Sequence, residues 1–194
     1  MPDWLQIILN LIETLAIVVG AVVAIKGINA WREEMIGRRE AELSEEVLAS
    51  FYQMQDFFSF VRFPGTFHGE GETRPFVDGE TESQEKVGKG YYAPIERLQG
   101  ELERYSHLHA LKYRFMAYLG EEARKPFEEL NEIKSKIISA AHILSRNSMM
   151  DDAEKYEKIL GYVDEKDDSI KKDIDRIITD VEKLCKPCLS KRGK

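Results

Sequence analysis

The sequence predicts an all-α protein in which an N-terminal transmembrane helix continues into a cytoplasmic antiparallel helical bundle. Three observations carry that expectation. Residues 4–25 place 17 Ala, Val, Ile, Leu or Trp in 22 positions and contain no Lys or Arg. From Leu43 onward, apolar residues return at every third or fourth position, the period of a helix with one buried face. No run alternates apolar with polar over the length of a strand. The averages over all 194 residues (43% hydrophobic, 32% charged, net charge −7) exclude a disordered or collagen-like chain. Two cysteines cannot supply a disulfide framework, and the acidic balance argues against nucleic acid as a partner.

The first element, residues 1–26, reads as a transmembrane anchor. A helix needs about 20 mainly apolar residues to cross a hydrocarbon core of roughly 30 Å. The only two tryptophans, Trp4 and Trp31, bracket the stretch as interfacial anchors, and Lys26 and Arg32 stand at its inner edge. Basic residues follow the span and none precede it, so the positive-inside rule places the N-terminus outside and the rest in the cytoplasm. Three other readings compete. A cleaved signal peptide would need a basic leading region, which is absent, although Val22-Val23-Ala24 is a passable cleavage sequence. A buried core helix of this length and apolarity is unusual. An interfacial helix would use the face of Gln6, Asn10 and Glu13, but such helices carry Lys and Arg there.

Gln6, Asn10, Glu13, Ile17, Gly20, Ala24 and Gly27 follow one another at a mean spacing of 3.5, and all but Ile17 are polar or small. Small residues let helices approach closely and polar ones hydrogen-bond across a lipid-buried contact, so this stripe predicts self-association of the span and a homo-oligomer. Glu13 is the acid within the span and the group to which a role is first ascribed.

Residues 27–63 extend the helix into the cytoplasm: Leu43, Val47, Phe51, Met54, Phe58 and Val61 keep helical spacing, with no proline between Pro2 and Pro64. Phe57, Phe58, Phe60 and Phe63 are too aromatic a cluster to stay solvated and form a candidate surface for a protein partner, unless other helices or the membrane cover them. Residues 64–92 read as a Gly- and acid-rich loop. Its run Gly69-Glu70-Gly71-Glu72 lacks the Gly-Lys-Ser/Thr ending and preceding strand of a phosphate loop. Residues 93–187 form the predicted bundle. One helix runs from Pro94 in its first turn to Leu119, with Gly120 as cap. Another runs from Glu122 to Ser145, with Phe127, Leu130, Ile133, Ile137, Ala141 and Leu144 on one face and Pro126 in the first turn. A short helix capped by Asp151 or Asp152 reaches Tyr162, and the last carries Ile170, Ile174, Ile177, Val181 and Leu184 as a seam. Residues 188–194 are a basic tail.

The runs Ala30-Trp31-Arg32-Glu33-Glu34, Ala41-Glu42-Leu43-Ser44-Glu45-Glu46-Val47-Leu48, Leu111-Lys112-Tyr113-Arg114-Phe115-Met116-Ala117 and Pro126-Phe127-Glu128-Glu129-Leu130-Asn131 resemble a family of uncharacterised bacterial single-pass inner-membrane proteins. The resemblance implies a bacterial inner membrane and one N-terminal span. It carries over no activity and no catalytic residue.

Few constellations could do chemistry. Cys185-Lys186-Pro187-Cys188 is the sharpest, but it closes a helix instead of opening one, where the dipole raises a thiol pKa. Its alternatives are a zinc site completed by His68, His107, His109 or His142, palmitoylation beside Lys186, Lys191, Arg192 and Lys194, or a packed Cys185 with an exposed Cys188. Glu103 and His107 share a helix face without the partners that a diiron bundle needs, and His107 with His109 reads as a hydrogen-bonded pair. Lys112, Arg114, Arg124 and Lys125 suit a phosphate or lipid headgroup, or salt bridges to Glu121, Glu122, Glu128 and Glu129 across helices. No catalytic or metal-binding residue and no cofactor is predicted. The function expected is that of a non-enzymatic membrane-anchored scaffold, or alternatively an oligomerising effector that perturbs the bilayer.

Overall fold

The computed structural model describes residues 3–190, and within them the fold is helical with no strand. Helix α1 spans Asp3–Val61, α2 Glu82–Gly100, α3 Leu102–Leu119, α4 Lys125–Arg146, α5 Ala153–Ile159 and α6 Ser169–Ser190, with a 3-10 turn at Glu121–Arg124 before α4.

The 59 residues of α1 make a rod of about 88 Å at 1.5 Å per residue. Nothing in its sequence stops it earlier: its glycines cost helix propensity but do not break the hydrogen-bond ladder. Pro64 forces the preceding residue out of helical geometry, and the end tightens through the Phe63 N–H to Phe60 carbonyl bond (3.1 Å). Every described side chain up to Glu34 is exposed. From Ala41 on, the same helix becomes the spine of the domain, burying Leu43, Val47, Phe51, Met54, Phe58 and Val61 at the positions the spacing predicts. Phe51 meets Phe127 of α4 edge-on at 4.9 Å, and the whole predicted face of α4 is buried. On α6, Ile170, Ile174, Ile177 and Val181 are buried, and Leu184 is half-buried against the same core.

The polar contacts between α1 and α6 fix their register. Tyr52 donates to Glu182 (2.7 Å), Gln55 to Asp175 (2.7 Å) and Arg62 to Asp168 (2.8 and 2.9 Å), so partner numbers fall along α6 as they rise along α1. Arg62 is buried and also donates to the carbonyls of Ile159 and Lys158, which clamps α5 to the end of α1. Gly161 has φ +92°, and a Cβ there would stand 2.3 Å from the Arg62 carbonyl oxygen. Only glycine lets the chain turn that close to the clamp.

Two expectations about the middle of the chain are corrected. The loop predicted over 64–92 is shorter, because α2 begins at Glu82. Thr81 caps it, and Thr81 and Gln84 close a reciprocal capping box that satisfies two otherwise orphaned N–H groups. Pro94 therefore lies inside α2, not in its first turn, and the helix expected from Pro94 to Leu119 is two helices parted at Glu101 (φ −121°, ψ 31°). Gly88 is a contact residue: a Cβ there would come within 2.7 Å of the Ser145 carbonyl oxygen and the Arg74 guanidinium. At the other end, residues 188–190 continue α6 instead of starting a tail, and residues 191–194 lie outside the described chain.

Candidate functional site

Two surfaces stand out, one at each end of α1. The first is the N-terminal part of the helix, which is long and apolar enough to cross a membrane and has none of its apolar window buried. Trp4 and Trp31 are 60% and 63% exposed, and the Ile, Leu and Val residues described between them are as open. An uncovered apolar cylinder of this length far exceeds the few hundred Å² that a soluble monomer tolerates. Lys26 and Arg32 are exposed beside it.

Gln6, Asn10, Glu13, Gly20, Ala24 and Gly27 are likewise all exposed, with nothing within 4 Å of a Cβ built on Gly20 or Gly27. At about 100° per residue, this stripe points roughly 150° away from the core-facing line of Val47, Phe51, Met54 and Phe58. The helical domain thus hangs from one side of α1 and the polar stripe lies on the other.

The second surface is the aromatic cluster, which the structure divides. Phe57 and Phe58 are covered by the protein's own helices, with Tyr105 of α3 edge-on at 6.2 and 6.4 Å, so they do not belong to a partner surface. Phe60 (46% exposed) and Phe63 (51%) do face solvent, and Phe67 (56%) joins them. Its ring stacks on Phe60 at 6.2 Å and on Phe63 at 5.9 Å. Beneath lies the Arg97 guanidinium, 5.2, 6.0 and 5.5 Å from the centroids of Phe60, Phe63 and Phe67. It donates to the carbonyls of Phe60 (3.1 Å), Val61 (3.2 Å), Phe63 (2.8 Å) and Gly65 (2.6 Å), and to both oxygens of Glu70 (2.8 and 2.6 Å). One buried arginine therefore ties the end of α1 to the following loop. Neither Phe67 nor Arg97 was legible as part of this cluster. The one available signal was that Arg97 sits between Ile95 and Leu98 on the buried side of α2.

The remaining motifs resolve as structure. Cys185 and Cys188 are both free and both buried in α6, which corrects the expectation of an exposed Cys188. Burial, and then the neighbouring Cys188, push the Cys185 thiol up to about 12, against a hydrogen bond with Ser44 of α1. A thiol held protonated and covered is a poor nucleophile and a poor acceptor for an acyl chain. His107 lies 3.4 Å from Glu46 and His109 stacks edge-on with Tyr113 at 5.1 Å, so the two histidines do not pair. Among the described residues, no group of three His, Cys, Asp or Glu is placed to hold a metal ion.

Of the basic cluster, Arg114 reaches across to Glu46 (3.0 Å). Arg124 pairs with Glu121 and Glu128 and Lys125 with Glu129, along their own stretch of chain rather than across helices. Such exposed pairs are worth little. A cleft of about 650 Å³ opens between α3 and α4 over Leu108, Phe127 and Leu130, with Lys112 and Lys134 on its walls. The Tyr105 hydroxyl behind it is sealed from solvent without a hydrogen-bond partner, and burial raises its pKa. Comparison of the chain with protein-family models, with curated proteins and with solved structures finds no match in any of the three.

Proposed function

We propose that the protein is a membrane-anchored, non-enzymatic helical scaffold of the bacterial inner membrane. In this reading the first part of α1 spans the bilayer with its N-terminus outside, and α1–α6 form an antiparallel bundle in the cytoplasm. The observation that carries it is the continuity of α1, bare and apolar at one end and the spine of the core at the other. Because no linker separates the two, the bundle is held at a set height and rotation relative to the lipid. That is the property of a protein that presents a surface, here the stack of Phe60, Phe63 and Phe67 at the far end of α1, to a partner. Reporter fusions to the full chain test it. A fluorescent protein after residue 194 fluoresces in a carbonate-resistant membrane fraction, and alkaline phosphatase fused there stays inactive. An active C-terminal phosphatase, or protein released by carbonate, overturns the reading.

A second reading is favoured by one specific observation, the position of the polar stripe opposite the domain. Two copies can meet through Gln6, Asn10, Glu13, Gly20, Ala24 and Gly27 with their bundles pointing outward, free of collision. An oligomer of this kind could act on the bilayer itself. Overexpression then collapses membrane potential for the natural chain and not for Glu13→Leu. A potential unchanged by either removes this second reading and leaves the scaffold.

A further inference from the structure

Phe60, Phe63 and Phe67 stand about half exposed at the end of α1, and the surface does not stop with them. Gln53, Asp56 and Phe60 fall within an arc of about 60° on the solvent side of α1, with Gln53 about 10 Å nearer the apolar end. At Gln53 the same face opens into a groove of about 410 Å³ between α1 and the junction of α2 with α3, walled by Gln53, Glu101, Glu103 and Arg104. Stack and groove form one strip. Its charge is one-sided: Asp56 and Glu103 are exposed, with no ion pair among the described residues. The cations along it are taken, Arg97 by both oxygens of Glu70 and Arg104 by Glu101 at 2.5 Å. His107, at the foot of the groove, lies 3.4 Å from Glu46, and Lys171, which lines the hollow beside Phe63, is held by Glu165.

We infer that this strip docks an extended basic segment of a partner protein, one that carries apolar side chains beside Arg or Lys. The inference rests on the reading of the phenylalanine stack as the presented surface, and it names the chemistry of what that surface meets. Charge complementarity selects the occupant. The faces of aromatic rings are electronegative and attract a guanidinium, and Arg97 already lies against all three rings from beneath. Because Glu70 offsets the Arg97 charge, the ring surface turned to solvent is open to a second cation. Asp56 and Glu103 supply the opposite charge for further Lys or Arg along the strip. Size sets aside a second copy of this chain as a stable occupant. Half of each of three phenylalanines amounts to roughly 300 Å², against about 800 Å² per partner in a standard interface. The net charge of −7 opposes self-pairing as well. An extended peptide, whose side chains alternate, can set apolar groups on the stack and basic ones in the groove.

The experiment uses the full chain in phosphatidylcholine nanodiscs, neutral so that the lipid does not hold the probe, and a fluorescent peptide of alternating Arg and Phe. Fluorescence anisotropy should show saturable binding, weakened about tenfold when each Arg is replaced by citrulline, which keeps the shape without the charge. Asp56→Asn with Glu103→Gln should weaken the Arg peptide and leave the citrulline peptide unchanged. Phe60→Ser with Phe67→Ser should weaken both. The two carboxylates are exposed and unpaired, so their replacement keeps the fold and leaves the test readable even where the phenylalanine variant unfolds. Equal binding of the two peptides, binding untouched by the carboxylate variant, tighter binding of a Glu and Phe peptide, or no binding at all overturns the inference. Co-elution of protein with discs separates the two readings. A chain that does not co-elute defeats the anchored scaffold, and one that co-elutes but fails the peptide tests defeats this docking chemistry alone.

Discussion

Arg97→Leu is expected to lower the midpoint of thermal unfolding by roughly 10 °C, followed by circular dichroism on the full chain in detergent. The side chain is only 2% exposed, and its partner Glu70 is largely covered. Removing one member of a buried, hydrogen-bonded ion pair costs about 3–5 kcal/mol, because the other charge stays behind unpaired. For a chain of this size each kcal/mol moves the midpoint by about 2–4 °C. Leucine fills part of the volume under the rings of Phe60, Phe63 and Phe67 but donates nothing to the four carbonyls and the carboxylate that Arg97 serves. Arg97→Lys should rescue little, since one ammonium with three donors cannot satisfy acceptors arrayed around a planar fork. A shift below about 2 °C would show that the contacts of Arg97 are not what holds the loop.

The same variant has a pH signature. The Arg97 hydrogen bonds hold the Glu70 carboxyl below its ordinary range, with burial opposing and the Phe67 N–H assisting. A carboxyl whose folded pKa is depressed contributes stability that is present above its unfolded pKa and lost as pH falls through the folded one. Without Arg97 the burial effect remains, which favours the protonated form. The stability gap between the natural chain and Arg97→Leu should therefore narrow as pH is lowered from neutral toward the carboxylate range, and a gap that widens contradicts the assignment.

What could be read from the sequence divides along physical lines. Core positions of α1, α4 and α6 were legible because burial imposes a period, and Val47, Phe51, Ile137 and Ile177 obey it. The placement of Pro126 in the first turn of α4 follows from its missing N–H. The start of α2 was missed because Gly88, Gly90 and Pro94 lower helix propensity, while the capping box of Thr81 and Gln84 and packing against α4 outweigh that cost. The division of the aromatic cluster was legible only in part. Phe58 keeps the spacing of Met54 and Val61, and Phe60 lies about 200° around the helix from it, but Phe57 is outside that series and is covered because Tyr105 of α3 packs on it. The buried arginines are the largest gap: Arg62, Arg74 and Arg97 look like surface residues until their acceptors, carbonyls far away in sequence, are in place.

Replacing Ile17 and Gly20 together by arginine should abolish membrane insertion. Residues 4–25 contain 13 Leu, Ile and Val. On the insertion scale each contributes about −0.3 to −0.6 kcal/mol near the centre of a span, so the favourable side amounts to roughly −6 kcal/mol. Each arginine near the centre costs about 2.5–3.5 kcal/mol, so the pair cancels that gain. The two sites are chosen because they lie on the face of Gln6, Asn10 and Glu13. An interfacial helix keeps that face in water, and arginine there would strengthen its grip on anionic lipid. A spanning helix has no such face to spare, and the chain should leave the carbonate-resistant fraction. The domain should survive the change, because its core begins at Ala41, Ile17 is exposed and a Cβ added at Gly20 meets nothing within 4 Å. Far-ultraviolet dichroism and the unfolding midpoint of the displaced protein therefore separate failed insertion from failed folding. A natural chain that carbonate releases, with a double variant that binds anionic membranes at least as well at neutral pH, would mean that α1 spans nothing, and the height and rotation ascribed to the bundle would fall with it.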